Sequence, residues 1–114
     1  MTRKDNLSRI EARWREHREA AFPDGLAGKE VAGICVTSLD SYTAGCIETF
    51  AGRGGKLDLW RTAILGLCYR DLSVVVARLR GDQKHYFARL EELARMVLEA
   101  VRDEAKKPDA GEGM

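Results

Sequence analysis

Glu30 to Phe50, EVAGICVTSLDSYTAGCIETF, is the longest apolar stretch of the chain, and after its first residue its only acidic side chains are Asp40 and Glu48. Placed on a helix, it gathers Ser38, Ser41, Gly45, Glu48 and Gly52 into one polar stripe, each three or four positions after the last. Opposite that stripe lie Ala32, Val36, Leu39, Thr43, Ile47 and Phe50, flanked by Cys35, Tyr42 and Cys46. The apolar arc spans more than half the circumference, which is the pattern of a helix packed against more than one neighbour. A strand over Val31 to Leu39 is the rival reading, because Val31, Ile34, Val36 and Thr37 are β-branched and Gly28 can precede a strand as a turn residue. The length of the pattern favours the helix, since no turn dipeptide interrupts it.

The flanking segments repeat the helical period. Leu7, Ile10, Trp14 and Ala21 mark one face of a first helix, with His17 on the same stripe. Residues 1 to 4 are expected to fray, with Asp5, Asn6 or Ser8 as cap and Ser8 with Glu11 at capping-box spacing. Phe22-Pro23-Asp24-Gly25 stops that helix. After the central helix, Gly52-Arg53-Gly54-Gly55-Lys56 suits a tight reversal. A third helix then starts near Leu57 or Asp58 and buries Leu57, Trp60, Ile64, Leu67, Cys68, Leu72, Val75, Val76 and Leu79. Gly81-Asp82 turns the chain once more, with Asp82 as N-cap. The last helix buries Tyr86, Phe87, Leu90, Leu93, Ala94, Val97, Leu98 and Val101.

Four helices joined by short loops define an all-α, four-helix antiparallel bundle-like single domain over residues 1–105. Residues 106–114, KKPDAGEGM, carry no apolar anchor and read as a disordered tail.

Composition narrows the function unequally. Nineteen basic against 18 acidic side chains leave a net charge of +1, which supplies no global attraction to nucleic acid or to an anionic membrane. No stretch reaches the apolar length of a membrane span, and the N-terminus lacks the apolar core of a signal peptide. Cys35, Cys46 and Cys68 form no C-x-x-C pair, so the reading is of free thiols in a reducing, bacterial-type cytoplasmic setting. Neither metal nor cofactor is expected.

Asp40 is the residue most suggestive of chemistry, because it lies beside Val36, Ala44 and Ile47 at the margin of the buried arc. A carboxylate there needs a partner: an arginine such as Arg61 or Arg70, a tyrosine hydroxyl, or the amides of a helix start. Asp40 with Thr37, Tyr42 and Thr43 forms the candidate ligand-binding or catalytic set. Arg53-Gly54-Gly55-Lys56 fails as a phosphate loop, since Phe50 stands where glycine is needed and Leu57 where serine or threonine is needed. Asp82-Gln83-Lys84-His85 has the carboxylate-x-x-His spacing of di-iron bundles, but the second such element they require is missing. The N-terminal helix is rich in arginine, yet Asp5, Glu11, Glu16 and Glu19 offset most of that charge, so nucleic-acid binding through it ranks third.

The surplus of large aromatic residues favours a non-enzymatic protein that works through protein–protein association, as a homodimer or with another protein. Trp14, Phe22, Trp60 and Tyr69 are its candidate interface residues. A small-molecule site around Asp40 is the alternative.

Overall fold

A computed structural model describes residues 2–106. Four helices and one minimal β-hairpin follow one another along the chain. Helix α1 (Arg3–Arg18) starts nearly two turns earlier than the Ser8–Glu11 spacing suggests. Thr2 Oγ1 accepts the Asp5 amide at 3.1 Å and the Asp5 carboxylate accepts the Thr2 amide at 3.3 Å. That reciprocal pair satisfies the free amides at the helix start, so residues 3 and 4 are helical rather than frayed and Ser8 lies mid-helix.

The central stretch is not helical throughout. Strand β1 (Glu30–Val31) pairs antiparallel with β2 (Ile34–Cys35), and helix α2 (Val36–Gly52) begins only after them. Ala32 and Gly33, with φ of 53° and 79°, form the reversal between the strands. Two consecutive residues with positive φ are what a primed hairpin turn requires. The β-branched Val31 and Ile34 thus take the strand option, and helical periodicity holds only from Val36 onward. Alanine tolerates positive φ poorly. Ala32→Asn, which brings the asparagine–glycine pair such turns favour, should therefore raise stability by about 0.5 kcal/mol or more. Urea denaturation measures it, and an unchanged midpoint would mean the turn is unstrained.

Helix α3 (Leu59–Arg78) starts where Asp58 caps it, its carboxylate accepting the Arg61 amide at 3.1 Å and the Arg61 guanidinium at 2.9 Å. The loop before it is fixed from outside: Gly55, at φ 90°, is buried beneath Leu7, and Arg3 donates to its carbonyl at 2.9 Å. Helix α4 (Gly81–Lys106) follows after only Leu79 and Arg80. Asp82 therefore lies inside the first turn rather than at the cap, and the helix runs to Lys106, one residue past the expected domain boundary. The remainder of the expected tail, residues 107–114, lies outside the described residues.

Cross-helix pairs give the topology. Arg3 meets Glu104 while His17 packs on Tyr86, so α1 runs antiparallel to α4. Phe50 shares a groove with Met96 while Asp40 bonds Tyr86, so α2 runs parallel to α4. The short α2–α3 and α3–α4 connections complete an up-down-up-down bundle. The fully buried side chains Ile10, Val36, Ile47, Phe50, Leu65, Leu72, Phe87, Leu90 and Val97 form one core. Phe22, from the α1–α2 connector, closes one end by edge-on contacts with Tyr86 and Phe87 at 5.6 and 5.9 Å.

Candidate functional site

Helix α3 is apolar on two faces, and only one of them is used within the bundle. Leu65, Cys68, Leu72 and Val75 point into the core. Trp60, Ala63, Leu67, Arg70 and Val74 follow alternating steps of three and four along the outside, all exposed. Leu59 is 90% exposed, Trp60 73%, Leu67 55% and Val74 40%. Trp60 and Leu67, read from spacing as core positions, are therefore surface residues. The reason is that α2 and α4 occupy the opposite face, which contains Leu65. On α2, Tyr42 is 64% exposed, whereas its neighbour Thr43 is buried with its hydroxyl against Cys68 of α3.

Of the four interface candidates, Trp60 alone is freely exposed. Trp14 is in the core, Phe22 is engaged with Tyr86 and Phe87, and Tyr69 is half-buried. Sequence spacing missed Leu59, Tyr42 and Val74 as surface residues.

Asp40 has found a tyrosine. Tyr86 Oη donates to Asp40 Oδ1 at 2.6 Å from a position 46 residues further along the chain. Burial raises the Asp40 carboxyl above its ordinary range, and the tyrosine hydrogen bond offsets part of that rise. Burial and the adjacent carboxylate together raise the Tyr86 phenol well above its ordinary value, so it stays protonated and keeps donating. The residues grouped with Asp40 from sequence do not converge on it. Thr37 accepts the Gly28 amide at 2.9 Å near the hairpin, Thr43 is buried and donates to the Leu39 carbonyl at 2.7 Å, and Tyr42 projects into solvent. Thr37 and Thr43 lie one turn to either side of Asp40 on the same face of α2, but their hydroxyls are engaged with backbone elsewhere, and only Tyr42 points to the other side of the helix.

What does gather around Asp40 comes from other helices. A cleft of about 350 Å³ is lined by Asp40, Trp14, His17, Tyr86, Arg18 and Glu48, with Ala20, Ala44 and Gly45 keeping it open. His17 packs against Tyr86 with ring centres 4.5 Å apart and planes tilted by 45°, and Trp14, one turn earlier, stacks on His17 at 6.1 Å. Arg18 and Glu48 pair at 3.4 Å on the rim.

His17 is 4% exposed, and burial together with the positive charge of Arg89 pushes it down to about 4 from an ordinary 6.5. The unfolded chain therefore takes up a proton near pH 6.5 that the folded chain refuses until about pH 4. Stability falls as pH drops through that window and is unaffected by this group above it. The full contribution, reached below pH 4, is about 3 kcal/mol. Denaturation at pH 7 and pH 4.5 should show His17→Phe losing less stability on acidification than the wild type. Equal losses would mean that His17 is protonated inside the fold.

Other sequence candidates stay structural. Cys46 and Cys68 are buried and Cys35 caps α2, its sulfur accepting the Ser38 hydroxyl at 3.4 Å. Among the described residues no three histidine, cysteine or carboxylate side chains cluster as metal ligands. On α1, Arg3 and Arg18 are paired with Glu104 and Glu48. A groove between α1 and α4 is bordered by the Arg3–Glu104 and Arg95–Glu99 pairs, which neutralise each other. No described helix is long and apolar enough to cross a membrane. Comparison with protein-family models, with characterised proteins and with solved structures returns no match to this chain.

Proposed function

We propose that this is a non-enzymatic association module, and that two copies meet through the outer face of α3. The observation that carries the reading is the exposed run of Leu59, Trp60, Leu67 and Val74, joined by Tyr42 of α2. These are the large apolar side chains left exposed among the described residues, and exposed apolar side chains gathered on one helix are the kind of feature that marks an interface. Tryptophan, tyrosine and leucine on that face place an aromatic anchor where binding energy concentrates.

The steps of three and four suit helix-on-helix packing. Trp60 and Val74 lie equally far on either side of Leu67. In an antiparallel pair of α3 helices related by a two-fold axis at Leu67, each Trp60 meets the partner's Val74 and the two Leu67 side chains meet each other. Helical side chains lean toward their own N-terminus, so Trp60 is also carried over the partner's Arg78, a cation–π arrangement. Three free thiols fit a reducing cytoplasmic setting.

Tryptophan emission tests the reading. Trp14 is buried and Trp60 exposed, so the red-shifted part of the spectrum reports Trp60. Raising the concentration should shift it to the blue as Trp60 loses water; a spectrum independent of concentration would contradict self-association through this face.

A further inference from the structure

The net charge of +1 hides an uneven distribution. From Arg53 to Arg80, the stretch that contains α3, the chain carries Arg53, Lys56, Arg61, Arg70, Arg78 and Arg80 against Asp58 and Asp71 alone, a net of +4. The rest of the chain is left with 13 basic and 16 acidic side chains, a net of −3. Arg53 and Arg61 are turned to Asp58 at 3.8 and 2.9 Å. Lys56, Arg70, Arg78 and Arg80 are exposed and enter no ion pair among the described residues. Arg70 and Arg78 stand on the outer face itself, three residues after Leu67 and four after Val74. Apolar anchors and unpaired cations therefore share one side of the bundle. The grooves that open on α1, α4 and their neighbours take no side chain from α3, so its outer face is a rounded ridge.

We propose that this face lies on an anionic phospholipid bilayer. A helix rests in the plane of such an interface when apolar side chains on one side enter the headgroup region and lysine or arginine beside them meets acidic headgroups. Trp60, Leu67 and Val74 run along about 21 Å of α3 and point the same way, so one orientation buries all three. Tryptophan is the side chain that settles at this depth, and arginine reaches to the headgroups while its stem stays with the apolar stripe. Asp71, half-buried, is the only acidic side chain of α3. A second copy brings the same cations to the seam, whereas an acidic bilayer neutralises them. Each basic side chain close to such a surface strengthens binding about fivefold. Nucleic acid would suit the cations but would leave Leu59, Leu67 and Val74 without an apolar partner. The proposal uses the exposed stripe of the self-association reading without resting on the dimer: bilayer and second copy compete for α3.

Vesicle co-sedimentation of the full chain tests this, at a concentration where the chain alone is monomeric. Vesicles of equal parts phosphatidylcholine and phosphatidylserine should bind the chain and shift Trp60 emission to the blue, and rising salt should release it. Pure phosphatidylcholine should bind at least about tenfold more weakly. Arg70→Gln with Arg78→Gln, both on exposed positions, should weaken binding about 25-fold and leave the urea midpoint unchanged. Lys4→Gln with Arg15→Gln removes the same charge from exposed positions of α1 and should change binding by less than about twofold. No binding to the mixed vesicles would overturn the proposal, as would equal losses in the two double variants. Displacement from the vesicles by a polyuridylate strand of matching charge would overturn the choice of lipid. A chain that dimerises in solution but ignores the vesicles refutes this proposal and keeps the self-association; one that stays single in solution and binds the vesicles does the reverse.

Discussion

Replacing Phe87 by alanine should cost about 3–5 kcal/mol of folding stability, a large share of the ~5–15 kcal/mol available to a domain of this size. Phe87 is fully buried and meets Tyr86 at 5.1 Å and Phe22 at 5.9 Å, both edge-on. It therefore ties α4 to the connector that delivers the chain from α1 to the hairpin. Alanine removes the whole ring, and the helix beneath cannot close on the space because Leu90 and Tyr86 are anchored elsewhere in the core. In urea the midpoint should fall by about 2 M, or the protein should be unfolded without denaturant. Phe87→Leu, which refills most of the volume, should recover more than half of the loss. A loss of under about 1 kcal/mol for the alanine variant would mean that this aromatic cluster is not part of the core.

The second large effect falls on association rather than folding. Leu67 is 55% exposed in the protomer, so Leu67→Glu should leave the denaturation midpoint nearly unchanged. At a two-fold axis the same change sets two carboxylates face to face in a closing apolar seam. Self-association should weaken by about 100-fold or more. Trp60→Ala, which removes the anchor without adding charge, should weaken it by about 30-fold. Ala12→Glu, on the exposed side of α1, should do neither. Variants of Leu67 and Trp60 that associate as the wild type does would place any interface elsewhere.

The parts of this fold that were legible in the sequence are those where one helix face is plainly apolar and the other charged. Helix α4 is such a case: of the positions its spacing marks as buried, Tyr86, Phe87, Leu90, Leu93, Ala94 and Val97 are buried and Leu98 and Val101 half-buried, while Met96 is buried and not among them. Helix α3 was legible as a helix but not in its orientation. It carries apolar residues around most of its circumference, and periodicity cannot say which of two apolar stripes turns inward; that depends on where α2 and α4 dock. The spacing of Trp60 and Leu67 therefore reads as core, although Trp60 also stands among the interface candidates, and Leu59 and Val74 go unnoticed beside them. The hairpin escaped for a different reason: Ala32-Gly33 is a weak turn signal, and alanine rarely adopts the positive φ found there. Around Asp40, the need for a partner was legible from its place on the buried arc, and a tyrosine hydroxyl was among the options. Which tyrosine, and the company of Trp14 and His17, are tertiary facts set by α1 and α4 crossing α2.

Sedimentation equilibrium of the wild-type chain, from low micromolar to sub-millimolar concentration, tests the central claim most directly. Association through α3 predicts a weight-average mass that climbs from one chain to two and stops there, with Leu67→Glu holding at one chain over the same range. A wild-type mass of one chain at every concentration would contradict it.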